Sequence, residues 1–483
     1  MSSTASPPPP AAAATDDSIA ARPGLRGSLG TASIVLMVLA AAAPLTVVGG
    51  AVPLGIALGN GSAYPAAFAV CCVVLLLFAV GFCAMAQHVR QAGAFYAYVD
   101  KGLGRRAGLG SAFLALVTYT AIQVSVYGYI GVALDGLVQS YGGPHIPWWV
   151  WTGAMIALVG VLGYRHVDLS GKVLGALLIG EVGIVLALDA AVVATGGDHG
   201  LSTALVTPSQ LTSGSPGVAV TFAIAAFIGF EATAVFRSEA RDPDRTIPRA
   251  TYLALALVGG FYTLSSWALV SAWGDEQAVA AAGRDPEGML MATVSRYLGP
   301  FAEHLAQALF VTSLFACVLS FHHVIARYLH SLAEREALPS RLGRAHPRHH
   351  SPYTASLVQT ASAAALIAVF TLAGMDPITQ IFTWMAGVAT AGVDVLMLLT
   401  CVAVLVFFHR TGSDTRPWHT RWAPALGGLG LAALLTLTVL NFPLLIGGST
   451  TLAAALLGVP AASFVVGVVR ERRRPTGEVP VPA

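Results

Sequence analysis

Between Arg26 and Arg90 the chain runs for 63 residues without one Asp, Glu, Lys or Arg. Water does not tolerate that much contiguous apolar surface, and a bilayer-crossing helix needs about 20 residues, so the stretch holds two such helices and a turn. Gly59, Asn60, Gly61 and Ser62 supply the turn. The same rule gives ten further apolar segments, near 107–136, 147–164, 169–192, 216–237, 250–273, 301–330, 353–374, 378–408, 422–446 and 450–469. An all-α polytopic membrane protein with twelve transmembrane helices and the lipid bilayer as its solvent is expected. Composition agrees, because only 10% of the residues are charged, against about 25% in soluble domains.

A net charge of +2 offers no field for a polyanion, so no nucleic-acid partner is expected. The five cysteines all lie inside apolar runs, which predicts neither disulfides nor a CxxC metal site. With twelve spans and both termini cytoplasmic, 24 Lys and Arg fall inside and only Arg284 and Arg296 outside, the asymmetry that sets topology. Residues 1–26, with Pro7 to Pro10 and a run of alanines, read as a disordered cytoplasmic N-terminus. Residues 470–483, with Arg472 to Arg474, read as a basic cytoplasmic tail near anionic lipid.

Some segments carry more than an anchor needs. The first contains Pro44 followed by Gly49 and Gly50, and backbone freed by such an interruption is tolerated at membrane depth only where it lines a cavity or binds something. The sixth places Glu231 about 15 residues, or roughly 23 Å, into a helix, and the fifth places Glu181 about 12 residues, or roughly 18 Å, from the cytoplasmic side. Asp394 in the tenth is the third intramembrane acid. Burying such a group costs on the order of 2.5–3.5 kcal/mol, which makes each a candidate for ion or proton handling. Asp135, Asp189 and Glu303 fall near predicted outer boundaries and read as interfacial. His322 and His323 read as neutral hydrogen-bonded histidines, and His346, His349 and His350 lack the carboxylate or thiol that completes a metal site. No constellation of His, Cys, Ser or carboxylates stands at one depth, so neither an enzyme nor a cofactor is expected.

Four patches stand out: Ala43–Pro53, Gln91–Gly104, Phe227–Glu231 with Ser238–Pro248, and Ala326–Pro339 with Ser351 and Pro352. Together they resemble an amino acid permease of the amino acid, polyamine and organocation (APC) transporter superfamily. The resemblance implies a transporter domain over 27–469. In it an inverted repeat of five helices (about 27–195) and five more (about 212–410) breaks helices 1 and 6 at the midplane, with two extra helices at about 422–469. It implies a substrate site on Ala43, Pro44, Leu45, Thr46, Gly49 and Gly50 of helix 1 and on Phe222, Ala225, Ala226, Phe227, Gly229 and Phe230 of helix 6. A half-helix N-terminus attracts an α-carboxylate and freed carbonyls attract an α-ammonium, which suits a zwitterion.

Apart from Glu231 no charged side chain is obvious near that pocket, so the implied function is import of a neutral amino acid by alternating access, with an amine, polyamine or amino acid exchanger or a sodium-coupled carrier of the same fold as the alternative. Glu231 stands where the family often carries an acidic residue linked to proton movement. Glu181 departs from it: several of the superfamily's permeases carry a lysine there, thought to replace a sodium ion. A proton is therefore the expected coupling ion, carried by Glu181, Glu231 or Asp394. For the sodium alternative, Thr312, Ser313 and Ser320 would supply oxygens.

Overall fold

Proline marks where several of the helices start. The computed structural model describes residues 29–89, 94–165, 171–344, 346 and 351–472. The expected disordered stretch 1–26, Gln91 to Gly93 of the second patch, His349, His350 and the tail beyond Arg472 lie outside the described residues.

Among the described residues we number twelve segments in chain order, leaving aside shorter helices such as Ala94–Leu103, Asp275–Arg284 and Met289–Leu298. Segment 1 is Thr31–Leu58, segment 2 Gly61–Ala86 and segment 3 Arg105–Ser140. Segment 4 is Trp148–Arg165 and segment 5 Gly171–Thr195. Segment 6 is Pro216–Ala225 with Ala232–Val235, and segment 7 is Pro243–Trp273. Segments 8 to 12 are Pro300–Glu334, Tyr353–Leu372, Pro377–Thr411, Trp418–Leu445 and Thr450–Arg472. Among the described residues ten helices are long and apolar enough to cross a membrane. The other two expected spans fall on segment 4, which carries three tryptophans and a terminal arginine in 18 residues, and on the interrupted segment 6.

Both interruptions open a run of five segments. In segment 1 the helix Thr31–Ala41 stops before Ala43, which adopts a left-handed conformation at φ 47°, and Pro44 begins the next piece. Proline suits that first position because its missing N–H would have had no partner there. The break therefore precedes Pro44, and a π-helical turn occupies Val47–Ala51, where Gly49 and Gly50 lie. In segment 6, Ser215 accepts from the Val218 amide and Pro216 starts a helix that loosens after Ala225.

Segments of equal rank pack together across the two halves. Segment 2 lies against segment 7 and segment 3 against segment 8. Segment 11 covers segments 2 and 10, and segment 12 covers segment 3. All five cysteines are free thiols. Asp135 and Asp189 depart from the expectation that water reaches them. Both are buried: Asp135 accepts from the Ile146 amide at 2.8 Å and Gln139 at 2.6 Å, and Asp189 accepts from Ser265 at 2.8 Å. His322 Nε2 lies 2.8 Å from Ser356 Oγ, which gives that buried ring a polar partner.

A candidate substrate and proton site at the helix breaks

Because Pro44 has no N–H, Leu45 presents the first open amide of the half-helix that follows the break. That amide donates to Glu181 Oε2 at 3.3 Å. Ser313 of segment 8 donates to the same oxygen at 2.8 Å, and Thr46 Oγ1 donates to Ser313 at 3.1 Å. One buried carboxyl oxygen thus joins segments 1, 5 and 8, in the place where a half-helix N-terminus favours negative charge. On the other side of the break the Tyr262 hydroxyl donates to the Ala42 carbonyl at 3.2 Å. The open amide and a freed carbonyl, the two kinds of group a zwitterion would use, are both held here by protein side chains.

The segment 6 break is built differently. Its amides reach back only three residues, Phe227 to the Ile224 carbonyl and Ile228 to that of Ala225, and Gly229 sits at φ 113°. Glu231 folds over this turn. Its Oε2 accepts from the Gly229 amide at 2.8 Å, and its Oε1 accepts from the Tyr119 hydroxyl of segment 3 at 2.6 Å. The Tyr119 ring lies 5.6 Å from that of Tyr328 and 6.1 Å from that of Phe321, both on segment 8. A side chain at Gly229 would force L-residue sterics onto a backbone that resists them, so Gly229→Ala is expected to cost about 1–3 kcal/mol. The thermal unfolding midpoint in detergent reads this, and an unchanged midpoint would contradict it.

The other implied residues divide. Thr46 joins Glu181 through Ser313, whereas Phe227 packs 6.4 Å from Tyr262 and Phe230 packs among Phe78, Phe82 and Phe95. Phe222 and Ala226 are buried, and Ala225 is half-buried. Asp394 has neither Glu as a partner. It is fully buried near Cys71 of segment 2, and among the described residues neither of its carboxyl oxygens has a hydrogen-bond partner.

Above Gly49 and Gly50 an aromatic cover closes. Tyr129 donates to the Gly49 carbonyl at 3.2 Å, and its ring meets Phe310 and Phe382 edge-on at 5.4 and 5.0 Å. A Cβ on Gly49 would come within 3.0 Å of Phe310 and 3.1 Å of Leu290, so glycine is what admits the cover this closely. Beyond it lies a cleft of about 370 Å³, with Tyr129 and Phe310 in its wall alongside Asp285, Glu287, Glu303 and Gln307. Partial withdrawal from water and the neighbouring Asp285 and Asp376 push the Glu287 carboxyl up to about 7. Tyr119, Tyr129 and Tyr262 escaped the sequence reading, because a tyrosine in an apolar run carries no sign of what its hydroxyl reaches.

The family model for amino acid permeases matches residues 29–464. The chain belongs to that family. It is thus a multi-pass membrane protein of a family of membrane transporters. An uncharacterized transporter of Mycobacterium tuberculosis is 31% identical over 248 residues, which are 51% of this chain and 50% of that protein. The chain therefore spans about half the length of the mycobacterial relatives it matches. It is 22% identical to the low-affinity putrescine importer of Escherichia coli over 340 residues, 68% of this chain and 72% of the importer. A solved structure of a Na+-coupled sialic acid symporter in a substrate-bound outward-open state shares its fold. That likeness has a TM-score of 0.50 and 13% identity, and covers 87% of this chain and 92% of the symporter.

Proposed function

We propose that this permease imports a neutral amino acid across the plasma membrane together with a proton, by alternating access, with both termini cytoplasmic. The observation that carries the reading is the Glu181 carboxyl seated on the Leu45 amide at the segment 1 break. A substrate carboxylate arriving at that half-helix N-terminus meets Glu181, and two ionised carboxylates at one helix end repel. Neutralising Glu181 with a proton removes the repulsion, so proton and substrate bind together and, by reciprocity, each strengthens the other. Release of the pair on the far side returns Glu181 to the amide and to Ser313. Glu231, held by Gly229 and Tyr119, serves in this scheme as the tether of the segment 6 break rather than as the carrier.

The test is uptake of labelled neutral amino acids into sodium-free proteoliposomes under an inward proton gradient, with and without a protonophore. Accumulation that the protonophore collapses is expected, and uptake that requires sodium would overturn the choice of ion.

A second reading, a cationic amine as substrate, draws on the acidic cleft beside Tyr129 and on the similarity to a putrescine importer. The two readings differ in sign with pH. Glu287 is protonated below about 7 and charged above it, so the cleft grows more negative as pH rises through that value. An amine held by the cleft would show a KM that falls between external pH 6 and 8. Proton-driven uptake of a neutral amino acid is expected to weaken over the same range, and Glu287→Gln to leave that profile in place.

A further inference from the structure

Segment 10 ends at His409, Arg410 and Thr411, and the chain turns through residues 412–417 into segment 11. Between the two helix ends lies an open cleft of about 900 Å³, lined by His409, Arg410, Thr415, Thr420 and Arg421 on its polar side. Asp414 is the one carboxylate in that lining, and it is already engaged. Arg416 donates to it from Nε at 3.1 and 3.2 Å and from Nη2 at 2.7 Å, and this pairing holds the Asp414 carboxyl down at about 2. Among the described residues neither Arg410 nor Arg421 has an acidic partner, and both guanidinium groups are exposed. The cleft therefore presents two uncompensated arginines and a histidine.

Its remaining wall is apolar. Leu405 and Val406 line it, Val402 is exposed one turn deeper along segment 10, and Leu426 is exposed on segment 11. Trp418 and Trp422 are exposed beside it, 48% and 63% open, and tryptophan rings favour the level of lipid headgroups. A cationic recess at the rim of an apolar belt matches a molecule with a phosphate at one end and acyl chains at the other, whereas a free anion has no use for the apolar wall. Basic recesses between transmembrane helices take lipid headgroups by this chemistry.

We propose that the cleft between segments 10 and 11 binds the headgroup phosphate of an anionic phospholipid. Arg410 and Arg421 supply forked, charge-assisted hydrogen bonds to the phosphate oxygens, and the acyl chains lie along Val402, Leu405 and Val406. This does not depend on what the permease carries.

The experiment uses full-length, delipidated protein titrated with phosphatidylglycerol, phosphatidylcholine and inorganic phosphate, with binding read by native mass spectrometry and by the shift of the unfolding midpoint. Phosphatidylglycerol is expected to bind and stabilise, and the other two to do neither. Arg410→Gln with Arg421→Gln is expected to weaken phosphatidylglycerol roughly thirtyfold, taking about 1 kcal/mol for each arginine. Each single variant is expected to weaken it by about fivefold, which keeps the test valid if the double variant fails to fold. Equal stabilisation by phosphatidylcholine would overturn the headgroup assignment, and stabilisation by inorganic phosphate alone would make this a free-anion site. Unchanged phosphatidylglycerol binding in the arginine variants would place the lipid elsewhere.

Discussion

Glu181→Gln is expected to abolish concentrative uptake while leaving substrate exchange intact. The amide keeps the shape of the carboxyl, and its oxygen still accepts from the Leu45 amide and from Ser313, so the segment 1 break should stay as it is. What is lost is the proton. A proton moving through a total driving force of 100 mV supplies about 2.3 kcal/mol, enough for roughly fiftyfold accumulation. The variant should fall to a ratio of about 1, because its substrate step no longer draws on the gradient. Counterflow of labelled against unlabelled substrate should stay within about a factor of three of the unmodified protein, since the neutral amide mimics the protonated carrier. A variant that still concentrates substrate against a gradient would remove Glu181 from the coupling.

Glu231→Ala should act through the fold instead. It strips a partner from two groups at once, the buried Tyr119 hydroxyl and the half-buried Gly229 amide. Leaving a buried donor unpaired costs about 1–3 kcal/mol and a half-buried one less, so the pair accounts for about 2–4 kcal/mol, a large share of what a membrane domain has to lose. A steep drop in the unfolding midpoint and in yield is the expected result. Glu231→Gln keeps an acceptor for Gly229 and is expected to recover most of that stability and to retain proton-driven uptake. If Glu231→Gln folded well and lost accumulation as completely as Glu181→Gln, the coupling proton would move to segment 6.

The two glutamates were legible in the sequence because a charge inside an uncharged run is conspicuous whatever the fold. Pro44 was legible as an interruption for a similar reason. The role of Gly49 and Gly50 was harder to read. They serve the approach of Phe310, Leu290 and Tyr129, which only the packed structure brings near. Ser313 was readable only as one of several hydroxyls on segment 8. Its bonds to Thr46 and Glu181 join residues more than 130 positions apart, and no local pattern encodes a contact of that range. Phe227 and Phe230 show the converse. Their place in the motif is apparent from the sequence, but their rings turn into aromatic packing against Tyr262 and against Phe78, Phe82 and Phe95. Apolar helices reveal their existence through composition and conceal their facing, because lipid and protein interior ask for the same residues.

The most direct measurement follows protons and substrate in the same vesicles. Sodium-free proteoliposomes holding an internal pH dye, with no imposed gradient, would be given a pulse of neutral amino acid, first with unmodified protein and then with Glu181→Gln. Proton coupling through Glu181 predicts substrate-driven internal acidification that the variant lacks, although it still equilibrates labelled substrate. Substrate entry without acidification in the unmodified protein, or equal acidification in both proteins, would contradict it.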